Sequence, residues 1–96
     1  MKIYKLRTIA QGTKTVDEHV QSFKKVARGS GYSSYALIEE FKRSLDARLR
    51  ERVSNLDNPP SSIEGWYHQA MRLDRQWRRA KKEAEYYSKM TNMAKV

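Results

Sequence analysis

The chain has 96 residues, contains no cysteine and carries a formal net charge of +9. This length allows one domain, and the lack of cysteine excludes disulfides, thiol nucleophiles and zinc–thiolate sites. A strong positive charge attracts nucleic acid, acidic membrane surfaces or acidic protein patches, so charge alone leaves several classes of partner open.

Apolar residues recur every three or four positions between breaks made by glycine and proline, and no stretch alternates long enough to form a strand. The chain is therefore predicted to be all-α, a compact bundle of four to five short helices with the last helix longest. We expect residues 1–12 to be a linker or the end of a preceding helix, residues 13–87 to be the helical domain, and residues 88–96, which lack a clear pattern, to be a frayed tail.

Short polar side chains that precede the apolar runs are predicted to cap the helices. In chain order these caps are Thr15, Ser33 or Ser34, Asp46, and Ser61 or Ser62. Two of these positions carry a glutamate three residues further on, which is the pattern of a capping box: Glu18 follows Thr15, and Glu64 follows Ser61. The sequence therefore predicts where each helix begins.

The apolar faces of the predicted helices indicate the core. Its predicted members are Val20, Phe23, Leu37, Phe41, Leu45, Leu49, Val53, Trp66, Ala70 and Leu73. On the last helix the apolar stripe continues with heptad-like spacing as far as Tyr87. We expect the first half of this helix to pack on the domain and the second half to project, with two-stranded pairing of the projecting half as an alternative.

Catalysis and metal binding have little support in the sequence. His19 and His68 lie on different predicted helices, and neither has a second ligand at a metal-binding spacing. The clustered carboxylates lie at helix starts, and no serine lies in a glycine-rich elbow. We therefore expect no enzyme activity, no catalytic residue, no metal site, no cofactor and no small-molecule substrate.

The location of the protein is predicted from its hydropathy. No apolar run approaches the roughly 18 residues that span a bilayer, and the first residues do not resemble a signal peptide. We expect a cytoplasmic protein, with the nucleus as the alternative, and no membrane partner.

Five segments occur in an order that resembles a known family of proteins. They are Ile9-Ala10-Gln11-Gly12, Phe23, Phe41-Lys42-Arg43-Ser44-Leu45, Trp66, and Ala70-Met71-Arg72-Leu73-Asp74. From about Leu6 to about Lys82, the chain resembles the second half of the capsid region of a gypsy-class retrotransposon Gag polyprotein. The resemblance implies a structural protein that forms weak homodimers and a higher-order capsid lattice, and that assembles into a virus-like particle around RNA.

One group of residues is similar to the major homology region of retroviral capsids, which is a buried, hydrogen-bonded brace in that family: Ile9, Gln11, Gly12, Glu18 and Phe23. Gly12 permits a backbone turn that a Cβ would resist, Gln11 can connect this turn to a neighbouring element, and Phe23 can anchor the next helix. Retroviral versions carry a glutamate where this chain has Thr15, and whether Glu18 replaces it is open. An ordinary turn before a helix is the alternative interpretation.

The resemblance also implies a surface for self-association. It matches the helix of residues 34–45 to the helix that pairs across the two-fold axis in retroviral capsids. The outward side of this helix carries Tyr35, Ala36, Glu39, Lys42 and Arg43. An exposed aromatic residue such as Tyr35 is typical of an interface, and Glu39 could pair with a basic residue of a symmetry mate. The alternative is that Tyr35 packs on its own domain.

A basic side of the last predicted helix is the candidate for binding nucleic acid. Its members are Arg72, Arg75, Arg79 and Lys82. Such a density of cations can neutralise phosphates, although a solvated outer face explains it equally simply. A stand-alone basic helical module that binds RNA or DNA is therefore the alternative function. A longer reading frame with an upstream helical capsid half, and a Cys/His knuckle or a protease downstream, would favour the Gag interpretation.

Overall fold

Five helices follow one another in the computed structural model, which describes residues 2–94 and the side chains of residues 5–92. They are α1 (Lys2–Thr8), α2 (Val16–Ala27), α3 (Ser34–Ser44), α4 (Ala47–Ser54) and α5 (Ile63–Ala94). No strand occurs in this part of the chain. The prediction of an all-α fold of four to five helices, with the last one longest, is confirmed.

The first three predicted caps form as expected. Thr15 Oγ1 accepts the amide of Glu18 at 3.1 Å, and Glu18 Oε1 accepts the amide of Thr15 at 3.0 Å, which completes the capping box of α2. Ser33 caps α3, and Asp46 caps α4 through the amide of the second helical residue. These side chains satisfy amides that have no partner inside the helix.

The start of α5 lies at one of the two predicted caps, but the predicted capping box does not form. Ser62 Oγ accepts the amide of Gly65 at 3.0 Å, so Ser62 is the cap. The prediction of a capping box between Ser61 and Glu64 is wrong, because the third residue after the true cap is Gly65. A Cβ on Gly65 would lie 2.8 Å from the Cβ of Pro60, so only glycine allows the preceding turn to approach the helix this closely.

The core agrees closely with the predicted list. All its members are buried except Leu37, which is partly buried. Four further apolar residues complete the core: Leu6, Val16, Ile63 and Tyr67. Because Leu6 is fully buried and α1 packs against α2 and α3, the segment predicted as a linker or the end of a preceding helix contains a helix that belongs to the bundle.

Helix α5 has a packed half and a projecting half. Its inward residues are buried as far as Asp74, Trp77 is half-buried, and the residues from Arg79 to Asn92 are exposed. The predicted division into a packed and a projecting half is therefore confirmed. Where a frayed tail was predicted for residues 88–96, the helix continues to Ala94, and residues 95–96 lie outside the described residues. Elongation of an existing helix needs no new nucleation and no apolar contact, which explains this difference.

Candidate functional site

Gln11 connects the turn before α2 to the junction between α3 and α4. Its buried side chain donates from Nε2 to the carbonyl of Lys14 and accepts the amide of Asp46 at Oε1, both at 3.0 Å. Its backbone amide donates to the carbonyl of Ser44 at 2.9 Å, and its own carbonyl accepts the amide of Lys14 at 3.0 Å. Four hydrogen bonds of one residue thus fix residues 11–14, which we call the Gln11 turn.

The other predicted members of the brace lie in different parts of the fold. Gly12 belongs to the Gln11 turn and has φ +57°, in the left-handed region that favours glycine. Ile9 is partly buried against the core, and Phe23 is fully buried within it. Glu18 is exposed, and its carboxylate bonds to Thr15 at the cap of its own helix, which lowers the pKa of Glu18. The structure therefore brings Gln11 and Gly12 together in the turn, with Glu18 at the cap and Phe23 in the core.

Asp74 is a second buried polar connection, which the sequence analysis missed. Its Oδ2 accepts the amide of Val16, the first residue of α2, and also accepts Nε of Arg78, both at 3.0 Å. The carboxylate therefore lies at the N-terminus of α2, where the helix dipole stabilises negative charge. The available signal was an acidic residue directly after Leu73 in the inward stripe of α5, inside the Ala-x-x-Leu-Asp segment.

His19 is buried next to the Gln11 turn. Its ring stacks on Phe41, and its Nε2 lies 2.7 Å from Oγ of Ser44. The hydroxyl of Ser44 donates to the carbonyl of Phe41 at 2.7 Å, so Ser44 accepts from His19 and the imidazole proton lies on Nε2. The other ring nitrogen, Nδ1, is buried without a hydrogen-bond partner. Burial, with smaller contributions from the charges of Lys14 and Arg43, lowers the pKa of His19 from 6.5 to about 4.

The outward side of α3 begins with an exposed aromatic residue. Tyr35 is 73% exposed, so the alternative that it packs on its own domain is wrong. Ala36 is half-buried and Glu39 is exposed. Glu39 lies 3.9 Å from Lys42 of the same helix, and the ammonium group of Lys42 lies 5.4 Å from the ring centroid of Trp66. The acidic residue of this surface thus already has a partner within the chain.

Arg43, the last member of that surface, faces α1. Its Nη2 donates to the carbonyls of Leu6 at 2.7 Å and Ile9 at 3.2 Å, and its Nε donates to Glu40 at 3.2 Å. Arg43 therefore satisfies carbonyls at the end of α1, where a cation is favourable. Lys42 and Arg43 therefore interact with other residues of the same chain. The first part of the outward side of α3 is the part of this surface that remains available to a partner.

The basic side predicted on α5 is split by the chain's own interactions. Its members are all exposed: Arg72, Arg75, Arg79 and Lys82. Arg75 makes a bidentate contact with Asp17 in the first turn of α2, at 2.6 and 3.0 Å. Arg72 donates from Nε to Gln69 at 2.9 Å. Arg75 thus connects α5 to α2, which removes it from a continuous surface for phosphates.

A second basic surface lies on the other side of Trp77. A groove of about 670 Å³, which we call the Trp77 groove, opens between the Gln11 turn, the start of α4 and the end of the packed half of α5. Its charged and aromatic lining comprises Lys14, Asp46, Arg48, Asp74, Trp77, Arg78, Lys81, Lys82 and Glu85. The guanidinium carbon of Arg48 lies 3.9 Å from the ring centroid of Trp77, and Nζ of Lys81 lies 5.2 Å from it. The sequence analysis missed this groove because its walls are distant along the chain.

The described residues contain neither a cluster suited to a metal ion nor a helix suited to crossing a membrane. No group of three or more His, Cys, Asp or Glu side chains among them could hold a metal ion. Within the same part of the chain, no helix combines the length and the apolar character that crossing a membrane requires.

A protein-family model described as "PEG10/RTL1, C-terminal capsid-like domain" matches residues 3–77. A comparison with curated proteins finds no match. The matched region includes the Gln11 turn, all of α3 and the buried Asp74, and it ends where α5 leaves the bundle. The family similarity therefore coincides with the packed part of the chain.

Proposed function

Because the chain belongs to the PEG10/RTL1 C-terminal capsid-like domain family, a gypsy-derived Gag capsid domain, we propose that it self-associates in the assembly of a virus-like particle around RNA. The family match confirms the resemblance to Gag capsids that the ordered segments indicated. The match over residues 3–77 is the observation that carries this proposal, since it covers α2, α3 and α4 completely, nearly all of α1 and the packed half of α5.

The packing of α3 supports a role as an assembly surface. A shell repeats one contact many times, so each copy must present the same surface in the same position. Phe41 and Leu45 hold the inward side of α3 in the core, and Arg43 connects the helix to α1. The Gln11 turn holds the end of α3 through the carbonyl of Ser44. These contacts fix the C-terminal half of α3, and the partly buried Leu37 and Ile38 pack its first half against the core, while its outward side faces solvent.

We propose that Tyr35 is the centre of a two-fold contact between α3 helices. Exposed aromatic residues are enriched at interfaces, where they supply large buried area. The pair between Glu39 and Lys42 is exposed, and such pairs contribute only about 0–1 kcal/mol. Exchanging it for a pair across the two-fold axis therefore costs little. We expect the dimer to be weak, because a lattice of many contacts reaches high avidity while each contact remains reversible.

Sedimentation velocity at chain concentrations from micromolar to millimolar tests the proposal. We expect a shift from monomer to dimer, and Tyr35→Ala should suppress it without loss of helicity by circular dichroism. Tyr86→Ala is the matched control, because Tyr86 is 59% exposed but lies on the projecting half of α5. A chain that stays monomeric at millimolar concentration would refute the two-fold contact. If that monomer also binds RNA, the alternative of a stand-alone RNA- or DNA-binding module is favoured.

A further inference from the structure

We propose that the Trp77 groove is a binding site for single-stranded RNA. In this site Lys14, Arg48, Lys81 and Lys82 contact phosphates, and the stack of Arg48 on Trp77 supports a base. The site extends the proposed function, because it specifies where the enclosed RNA would touch this domain. RNA binding at this site can be measured on the monomer, so the test of the site is independent of self-association.

The charges around the groove favour an anion. Arg78 is neutralised by the buried carboxylate of Asp74, which also accepts a backbone amide. The four remaining cations outnumber the two other carboxylates of the lining, Asp46 and Glu85. One of these carboxylates, Asp46, already accepts the amide of Arg48 as the cap of α4. The cations converge from three elements that the buried hydrogen bonds of the Gln11 turn and Asp74 hold in place.

The stack of Arg48 on Trp77 gives the groove a second means of recognition. A guanidinium group 3.9 Å from the ring centroid is held by the aromatic face and restricted in its rotation. Arg48 is an exposed residue that lines the groove, so its guanidinium group is accessible to a ligand there. Unpaired bases of RNA stack on such planes and on aromatic rings, whereas the bases of a duplex are stacked on each other. This feature distinguishes the groove from the side of α5 that carries Arg72 and Arg75.

The shape of the basic surface favours a linear polyanion. Beyond the Trp77 groove, Lys81, Glu85 and Lys89 line a shallower depression of about 450 Å³ on the projecting half of α5. At 1.5 Å per residue, the path from Trp77 to Lys89 is about 18 Å long. A compact anion would use only one end of this path, whereas an extended strand can follow it.

Binding of a fluorescently labelled oligouridine, followed by anisotropy at increasing salt, tests the phosphate contacts. Four contacts on a single strand give a log–log salt slope of about −3, which is a loss of about 50-fold in affinity between about 50 and 200 mM salt. The double variant Lys14→Gln, Lys81→Gln should reduce the slope to about −1.5. The control Arg72→Gln, Arg79→Gln removes the same charge from the other side of α5 and should keep the slope of the unmodified chain.

A second comparison tests the base platform separately from charge. An abasic oligonucleotide with the same number of phosphates should bind at least about 5-fold more weakly than oligouridine. Arg48→Lys keeps the charge but loses the planar stack, so it should remove this difference while leaving the salt slope unchanged. Binding of oligouridine should also quench the fluorescence of Trp77. The signal can be assigned to Trp77 because the other tryptophan, Trp66, is buried.

Three results would overturn the assignment. If both double variants reduce the salt slope equally, RNA follows net charge and the groove is not its site. If the unmodified chain binds abasic and uridine strands equally, the Arg48 platform is wrong. If duplex RNA of equal length competes better than the single strand, the ligand class is wrong. None of these results affects the sedimentation test of self-association, so failure of this site and failure of the capsid proposal can be told apart.

Discussion

Acid should destabilise this domain through one buried histidine. In the folded chain the proton of His19 lies on Nε2 and is donated to Ser44, while Nδ1 is buried without a partner. Protonation would add a second N–H at Nδ1, together with a positive charge, in a site that offers it no acceptor and no carboxylate. The folded state therefore resists protonation, and the pKa of His19 falls from 6.5 to about 4.

The direction and size of the effect follow from proton linkage. Between these two pKa values the unfolded chain binds a proton that the folded chain does not, so stability falls as the pH falls from about 6.5 to about 4. Relative to pH 7, the loss is about 2 kcal/mol at pH 5 and about 3 kcal/mol at pH 4. A chain of 96 residues has a total stability of roughly 5–14 kcal/mol, so the loss is a large part of it.

Urea unfolding followed by far-ultraviolet circular dichroism at several pH values measures this loss. The variant His19→Gln cannot titrate, so between pH 7 and pH 4 it should lose much less stability than the unmodified chain, although it starts less stable. His68→Gln is the control, because His68 is exposed and its replacement leaves the buried surroundings of His19 intact. Equal pH dependence of the unmodified chain and His19→Gln would refute the role of the buried ring.

Three substitutions test the connections around α2 in urea unfolding. Gln11→Ala should cost about 2 kcal/mol, because it removes two part-buried side-chain hydrogen bonds, whereas Gln21→Ala on the exposed side of α2 should cost little. Asp74→Ala should cost about 2–3 kcal/mol by leaving the first amide of α2 without its acceptor, and Asp57→Ala in an exposed turn is its control. Gly12→Ala should cost about 1 kcal/mol from its positive φ alone, since no atom beyond the adjacent residues lies within 4 Å of the added Cβ. A near-neutral result for Gln11→Ala or Asp74→Ala would contradict the proposed connections.

Local patterns predicted most of the fold. The capping box of Thr15 and Glu18 joins residues three apart, so both halves of the interaction are visible in sequence. The spacing of apolar residues likewise identified most of the core, although Leu6, Val16, Ile63 and Tyr67 were not among the predicted members. The one wrong prediction at the helix starts was the capping box of Ser61 and Glu64, because Ser62, the other candidate cap, begins the helix.

For interactions between residues that are distant along the chain, the sequence indicated only which residue types could take part and not which partners they have. Gln11 was identified as a residue able to connect the turn to another element, but its partner Asp46 lies 35 residues away. The bond from Val16 to Asp74 crosses 58 residues, and nothing in the apolar stripe indicates which helix start Asp74 caps. The Trp77 groove was missed for the same reason, since Arg48 reaches Trp77 only after α4 has packed on α5.

The two proposed surfaces lie at opposite ends of α3, which leads to a last prediction. Tyr35 lies in the first turn of α3, and Asp46, at the edge of the Trp77 groove, follows its last turn, about 16 Å away along the axis. Sites this far apart without shared partners act independently to within a few tenths of a kcal/mol. Tyr35→Ala should therefore leave the affinity for oligouridine unchanged when it is measured at chain concentrations where dimers are not populated. Combining it with Lys14→Gln and Lys81→Gln should give the sum of the separate effects. A clear departure from additivity would mean that Tyr35 and the residues of the Trp77 groove contribute to one surface, and one of the two assignments would have to be abandoned.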